Sequence, residues 1–342
     1  MEIFQEFEKE WERYSGTDHI VGCSSGTAAL HLALEALALP PKSQVIVPDF
    51  TMVACARAVT LAGLTPVFAD CSRSSMNVDP IAIDNILMRP GSWDHPPVRA
   101  IMAVHIYGRS CNMEAIHELA AKHNLYVIED LAEAHCTKPH MSTHASCWSF
   151  YKNKVVFGEE GGAIGFRHDL ESVANRARSL RSLGFTDNHD YWHIPRGHNY
   201  RLSNLHAQEI LVNFTHMDEW IATRRKQEAT YDQVMNPIYK LSPRETPWVY
   251  DLQIPGMTTT QQQLIVQRLR AYGIQARHSF KPMSLQPEYC LSSLTTVVSR
   301  VVNADRFARE VIYLPLGQSL RMDSDRAAGI TAHVIQEVMD GF

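Results

Sequence analysis

An α/β fold with a mainly parallel sheet flanked by helices is what this sequence predicts, followed by a smaller C-terminal α+β domain. Two observations carry the prediction. From residue 20 to residue 153, short apolar runs alternate with stretches rich in helix formers, the pattern of a parallel sheet with crossover helices. Beyond about residue 165 the alternation gives way to longer helices and scattered strands. The expected division is a large domain, 1–222, and a small one, 223–342. Two domains suit a chain of 342 residues.

The elements follow in order. Ile3, Phe4, Phe7, Trp11 and Tyr14 recur at helical spacing and predict a short docking helix. Ile20 to Cys23 is a short apolar strand, Ser24 to Thr27 a polar turn, and Ala28 to Leu39 a run of helix formers. Strands are expected at 44–50, 65–70, 98–108, 125–130 and 145–153, with helices at 51–63, 80–88 and 113–124 between them. Helices at 168–183 and 205–235 come next, the second long enough to cross between domains. The small domain reads as a strand at 247–254, a helix at 258–273, a strand at 274–280, and helices at 303–311 and 322–341. The loop 184–200 is long for a connection inside a compact domain, which favours a functional or interface role.

Composition excludes several classes. With 45% hydrophobic and 20% charged residues and a net charge of −5, the chain is an ordinary globular protein. Nothing global favours nucleic acid or an anionic membrane, and an anionic ligand needs a local basic pocket. Seven cysteines in no paired spacing read as reduced thiols of a cytoplasmic protein. The charged, amphipathic start is no signal peptide. No run of about 18 uncharged apolar residues marks a membrane span. Seventeen histidines invite a metal, but His135, His140 and His144 share one loop without a recognised ligand spacing, so no metal is expected.

Three segments carry chemistry. Ser25-Gly26-Thr27 lies where a strand passes into a helix. Free N–H groups and the dipole make such a turn a phosphate site, although the same residues serve equally as a plain N-cap. Glu129-Asp130 ends the strand LYVIED, where a carboxylate either meets a ligand or caps a turn. In SFYKNKVVFGEEGG, Lys154 and Lys152 compete for the role of a buried, reactive lysine, and spacing alone does not choose between them. His105 and Tyr107 stand at another strand end, where a role at the site competes with core packing. Arg178, Arg181, Arg196 and Arg201 offer a positive field for a nucleotide diphosphate, against a plain solvated face.

Six segments together resemble the DegT/DnrJ/EryC1/StrS family of sugar aminotransferases, pyridoxal-phosphate (PLP) enzymes of fold type I. They are SSGTAALHLAL (24–34), PDFTMVACARAV (48–59), VHIYG (104–108), VIEDLAEAHC (127–136), SFYKNK with EEGG (149–162), and GHNYRLSNLHA (197–207). The resemblance runs from Phe7 to Arg300 and more weakly beyond. It implies that Lys154 holds PLP as a Schiff base and later shuttles a proton. Asp130 is implied as partner of the pyridinium, and Gly26, Thr27 and Ser25 as the phosphate turn. Ser149 is implied as a further phosphate ligand, and Asn199 as one supplied by the neighbouring subunit, hence a homodimer with shared sites. Met52 stands where the family often stacks an aromatic ring, and Glu133 where it often has Gln. The segment between Asp130 and Ser149 is shorter than usual, and the chain opens almost directly at FEKEWERYSG, without the family's usual lead.

The reading implied is an aminotransferase with PLP as cofactor, L-glutamate as donor and a keto sugar, nucleotide-linked, as acceptor. His105 is taken as catalytic; Tyr107 and Arg201 are taken as substrate contacts. The alternatives are a non-catalytic regulatory or partner protein of the same fold, and sugar dehydration. The dehydrating class typically carries His at the lysine position, so Lys154 argues against it. A nicotinamide enzyme lacks its Gly-x-Gly-x-x-Gly turn here.

Overall fold

The computed structural model describes residues 2–89, 96–185, 191–193, 196–235, 241–290, 301–341 and the backbone of 296–297. Part of the loop read at 184–200, and Arg300 at the end of the resemblance, lie outside the described residues. The helices are α1 (Ile3–Ser15), α2 (Gly26–Ala36), α3 (Val53–Leu61), α4 (Pro80–Leu87), α5 (Met113–His123), α6 (Glu171–Arg181), α7 (Asn204–Phe214), α8 (Met217–Met235), α9 (Thr259–Ala271), α10 (Pro287–Cys290), α11 (Val302–Glu310) and α12 (Ser324–Asp340). The strands are β1 (Val21–Cys23), β2 (Gln44–Pro48), β3 (Thr65–Ala69), β4 (Val98–Val104), β5 (Tyr126–Asp130), β6 (Ala145–Ser149), β7 (Gly162–Phe166), β8 (Tyr250–Gln253), β9 (Arg277–His278), β10 (Thr296–Val297) and β11 (Val311–Leu314).

The large sheet runs β1-β7-β6-β5-β4-β2-β3-β10. Its members pair in parallel from β6 through β10, while β7 is antiparallel to both its neighbours. Side chains alternate between the faces of a strand, and this splits the core in two. Val45, Val47, Met102, Val104 and Ile128 pack with α2 and α3. Ile46, Ile101, Ala103 and Val127 pack with α4 and α5 on the other face. Burial on both faces is why these strands read as continuous apolar runs rather than alternating ones.

Helix α1 docks through Trp11, which is 1% exposed and meets Trp148, Phe150 and Phe214 edge to face. The helix expected at 205–235 is two helices. Backbone N–H groups of Thr215 and His216 reach back to Val212 and Asn213, and Thr215 Oγ1 also donates to the Val212 carbonyl at 2.7 Å. That local bonding tightens the chain and ends α7.

A second sheet, β8-β11-β9, is antiparallel and packs with Tyr231 of α8 and with α9 and α12 in its own core. Segments beyond α8 also reach the larger core, through Trp248, Val249, Met283 and Phe307. They form the far wall of a cavity at the edge of the large sheet. Among the described residues, no helix is long and apolar enough to cross a membrane.

Candidate active site

The C-terminal ends of β2, β4, β5 and β6 meet along one edge of the sheet, where open α/β sheets bind ligands. On the α2/α3 side of that edge lies a cavity of about 500 Å³. Ser25, Gly26, Thr27, Met52, Asp130, Glu133, Ser149 and Lys154 all line it. Trp248, Arg277, Phe280 and Tyr313 close it from the far side.

Strand alternation decides which residues face the cavity. Val104 and Asp130 are register partners in β4 and β5 and face it together. Asp130 accepts from the Ala132 N–H at 3.0 Å and from the Cys55 thiol at 3.2 Å. Burial and the nearby Asp130 charge hold that thiol well above its usual range, so it stays protonated and donates.

The neighbouring Glu129 and His105 face the opposite side. The Cys111 N–H donates to His105 Nδ1, which leaves Nε2 to carry the proton and donate to Glu129 at 2.9 Å. Both are fully buried. Glu129 also accepts from the His140 N–H at 2.9 Å and from the Thr143 hydroxyl. The pair therefore anchors the short segment between β5 and β6. His105, expected to be catalytic, does not line the cavity, because one step along the strand turned it away.

Tyr107 is a second correction. It is fully buried with its ring stacked on Phe280 at 5.2 Å, behind the cavity wall, and it does not line the cavity. Its contribution is its backbone. Left-handed φ angles of 52° at Tyr107 and 81° at Gly108 turn the chain, and the Tyr107 N–H donates to Glu133 Oε2 at 2.7 Å. A Cβ at position 108 would lie 1.9 Å from the Thr246 carbonyl oxygen, so only glycine fits.

The two lysines separate clearly. Lys152 is solvent-exposed and pairs with Glu159 at 2.6 Å, outside the cavity. Lys154 Nζ stands in the cavity 4.1 Å from the centroid of the Trp248 ring. The Trp248 indole N–H holds the lysine loop by donating to the Asn153 carbonyl at 2.8 Å. Burial lowers the Lys154 pKa, partly offset by the charges of Glu133 and Asp130.

Ser25 acts as N-cap of α2, accepting from the Ala28 N–H at 3.1 Å. Gly26 packs so closely on β6 that a Cβ there would lie 2.6 Å from Ser149 Cβ. The helix N-terminus and Ser149 thus form one cradle. Buried His135 fixes its far side. It accepts from the Val156 N–H and donates to the Ser149 carbonyl at 3.0 Å, which joins the end of β6 to the lysine loop.

The whole segment pattern matches the sequence profile of the DegT/DnrJ/EryC1/StrS aminotransferase family over residues 2–334. The chain belongs to this family. It is 36% identical to GDP-perosamine synthase of Caulobacter vibrioides, over 83% of this chain and 78% of that one. It is 31% identical to dTDP-3-amino-3,4,6-trideoxy-alpha-D-glucose transaminase of Streptomyces venezuelae, over 92% and 82%. A pleiotropic regulatory protein of Geobacillus stearothermophilus is 30% identical over 94% and 86%. The crystal structure of S. venezuelae DesV in complex with a ketimine intermediate superimposes with a TM-score of 0.83 at 28% identity, covering 98% of this chain and 88% of that one.

Within this family member, two expected residues lie outside the cavity of their own chain. Asn199 and Arg201 are exposed, on a segment that pairs with Ser182 and Cys23. For Arg201 this removes the expected contact with substrate in its own subunit. Conversely, Cys55, Trp248, Arg277, Phe280 and Tyr313 were not legible as site residues. Each is a single residue in an unremarkable context, brought in by the tertiary fold.

Glu133 yields a prediction. Burial, opposed by Lys154, pushes its carboxyl from the usual 4.5 up to about 7. A raised carboxylate pKa means that the folded state binds more protons than the unfolded one between those values. Stability contributed by this group is therefore lost as pH rises from 4.5 to 7, by about 3 kcal/mol at most. Glu133→Gln removes that term. Urea unfolding of the cofactor-free protein is expected to show the variant gaining on the native chain from pH 5 to pH 8. An unchanged gap across that range would refute the assignment.

Proposed function

We propose that this aminotransferase uses pyridoxal 5'-phosphate to move an amino group from an amino acid, first among them L-glutamate, to a nucleotide-linked keto sugar. The observation that carries the reading is Lys154 Nζ, held in a cavity that also presents the Asp130 carboxylate and the Gly26/Ser149 cradle. The residues present suit this cofactor. The first N–H groups of α2 have no partners within the helix, and with the Ser25, Thr27 and Ser149 hydroxyls they would take the phosphate. Asp130 would take the ring nitrogen, Lys154 the aldehyde carbon, and Met52 and Glu133 would flank the ring.

When bound, the cofactor supplies an electron sink for the charge left on the donor's α-carbon. The chain does the rest. Lys154, whose charged form burial disfavours, would hold the cofactor through Nζ. The same Nζ would carry the proton taken from the donor's α-carbon and the one returned to the acceptor. The Asp130 carboxylate would hold a proton on the ring nitrogen. Trp248, Phe280 and Tyr313 exclude water around the lysine. Arg277, at the cavity rim, is a cation suited to an anionic substrate.

The acceptor class rests on the relatives named above, which are a GDP-sugar and a dTDP-sugar enzyme. Exposure of Asn199 away from its own cavity supports a homodimer in which that residue completes the partner's site. The proposed location is the cytoplasm. Met217 packing in the larger core and Tyr231 in the smaller supports a domain division near residue 222, within α8.

Absorption of the purified protein with PLP, before and after L-glutamate, tests the reading. A visible band that glutamate converts to the shorter-wavelength amine form is expected. No band with excess PLP would point instead to the non-catalytic alternative, a regulatory or partner protein of the same fold; one relative is named a regulatory protein. A band indifferent to glutamate would overturn the donor.

A further inference from the structure

Among the described residues, one group of imidazoles and a carboxylate has metal-ligand geometry, and the mechanism above does not use it. It comprises His31 and Glu35, one turn apart on α2, and His198, which is 163 residues from Glu35 in sequence. No short motif announced it, because the third member arrives through the fold.

We propose that His31, Glu35 and His198 bind a divalent transition-metal ion of the Zn²⁺ class. Their candidate ligand atoms all lie within 4.8 Å of one another. Glu35 Oε2 is 2.6 Å from His198 Nε2, and Oε1 is 3.7 Å from His31 Nε2. Tetrahedral zinc bonds of about 2.0–2.2 Å put neighbouring ligand atoms about 3.4 Å apart. The present spacings bracket that value, so an ion replacing the proton between His198 and Glu35 needs only small side-chain shifts.

A second observation points into the same space. His31 is 3% exposed. The Leu61 carbonyl lies near its ring, yet Nε2 makes no hydrogen bond of ordinary length and angle. This buried nitrogen faces the Glu35 carboxylate. The opposite nitrogen, Nδ1, is 3.4 Å from the Tyr200 hydroxyl, the outer contact that orients a ligating imidazole.

Chemistry and access agree. Two imidazoles and one carboxylate suit Zn²⁺ and leave a fourth position for water. Glu35 lies in the last turn of α2, where the helix dipole favours a cation. It also lines a surface recess of about 230 Å³, so an ion has a way in. The site is structural. It ties the Gly197–Tyr200 segment, and with it Asn199, to the helix whose first turn forms the cradle.

The untagged, cofactor-loaded protein, stripped with chelator, is titrated with Zn²⁺ by calorimetry and with Co²⁺ by visible absorption. One equivalent per chain is expected, with the intense d–d bands of four-coordinate Co²⁺. Glu35→Gln and His198→Ala should each abolish those bands. Tyr200→Phe should weaken binding by about 10–100-fold, the usual effect of losing an outer partner. Cys290→Ser, which removes the exposed thiol, should change nothing. Circular dichroism checks folding, and the near-isosteric Glu35→Gln carries the comparison if His198→Ala unfolds. Failure of the native chain to bind, or equal binding by a folded Glu35→Gln, would overturn the site and leave the cluster a hydrogen-bonded anchor.

Discussion

Lys154→Ala is expected to abolish both the visible absorption of the PLP-loaded protein and its transamination, while Lys152→Ala leaves both intact. The argument is one of place. The two lysines are two residues apart, but Lys152 is in solvent, paired with Glu159 at 2.6 Å. A salt bridge in that position holds its proton and keeps it from acting as a nucleophile. Lys154 has the opposite surroundings. Burial disfavours its charged form, and the Trp248 face supports the ammonium that forms when Nζ carries a proton. Loss of Lys154 removes the covalent anchor and the proton carrier together. The fall in turnover should exceed the roughly 10²–10⁴-fold that a positioned acid–base group contributes alone. Noncovalent binding of PLP by the variant should persist, because Ser25, Thr27, Ser149 and Asp130 are untouched. A variant that keeps its visible band, or a Lys152→Ala protein that loses it, would move the assignment to the other lysine.

Spacing alone located this lysine only to within a pair, the family resemblance being what singled out Lys154, and the reason is physical. Short-range pattern reports which backbone state a segment adopts. It does not report which of two nearby side chains the rest of the chain will cover. The parallel strands were legible because each is buried on both faces and so reads as an apolar run. The turn at Ser25-Gly26-Thr27 was legible because a strand–helix junction needs a cap and a small residue there. His105 and Tyr107 failed for a related reason. They sit at a strand end, as a ligand contact should, but alternation sends His105 to the opposite face, and the left-handed turn buries Tyr107 behind Phe280. Trp248, Arg277 and Tyr313 lie on or beside strands of the other sheet. Only the packing of one sheet's edge over the other brings them to Lys154. The long helix expected at 205–235 broke because hydrogen bonding at Thr215 and His216 is a local competitor that hydrophobic periodicity does not register.

Asp130→Asn tests the other half of the chemistry, and its expected signature differs from that of the lysine variant. The carboxylate is 5% exposed at the end of β5. It is held by the Ala132 N–H on one oxygen and the Cys55 thiol on the other. An amide oxygen at the same place accepts the Ala132 bond, so the fold and the cavity should survive. What it lacks is charge. Without a carboxylate the proton on the cofactor's ring nitrogen loses its partner, and the ring absorbs the α-carbon's electrons less well. Removing one such preorganised electrostatic contact typically costs about 10²–10³ in turnover. The visible band should remain, because Lys154 is present, while its conversion by L-glutamate slows by that factor. Stability of the cofactor-free variant should not fall, since a buried negative charge has been replaced by a neutral group of the same shape. Stopped-flow absorption separates these outcomes. Slow conversion with an intact band and an unchanged unfolding midpoint would place Asp130 at the ring nitrogen. Conversion within threefold of the native rate would show that the carboxylate serves the strand end alone, and a lost band would assign it to holding the lysine loop.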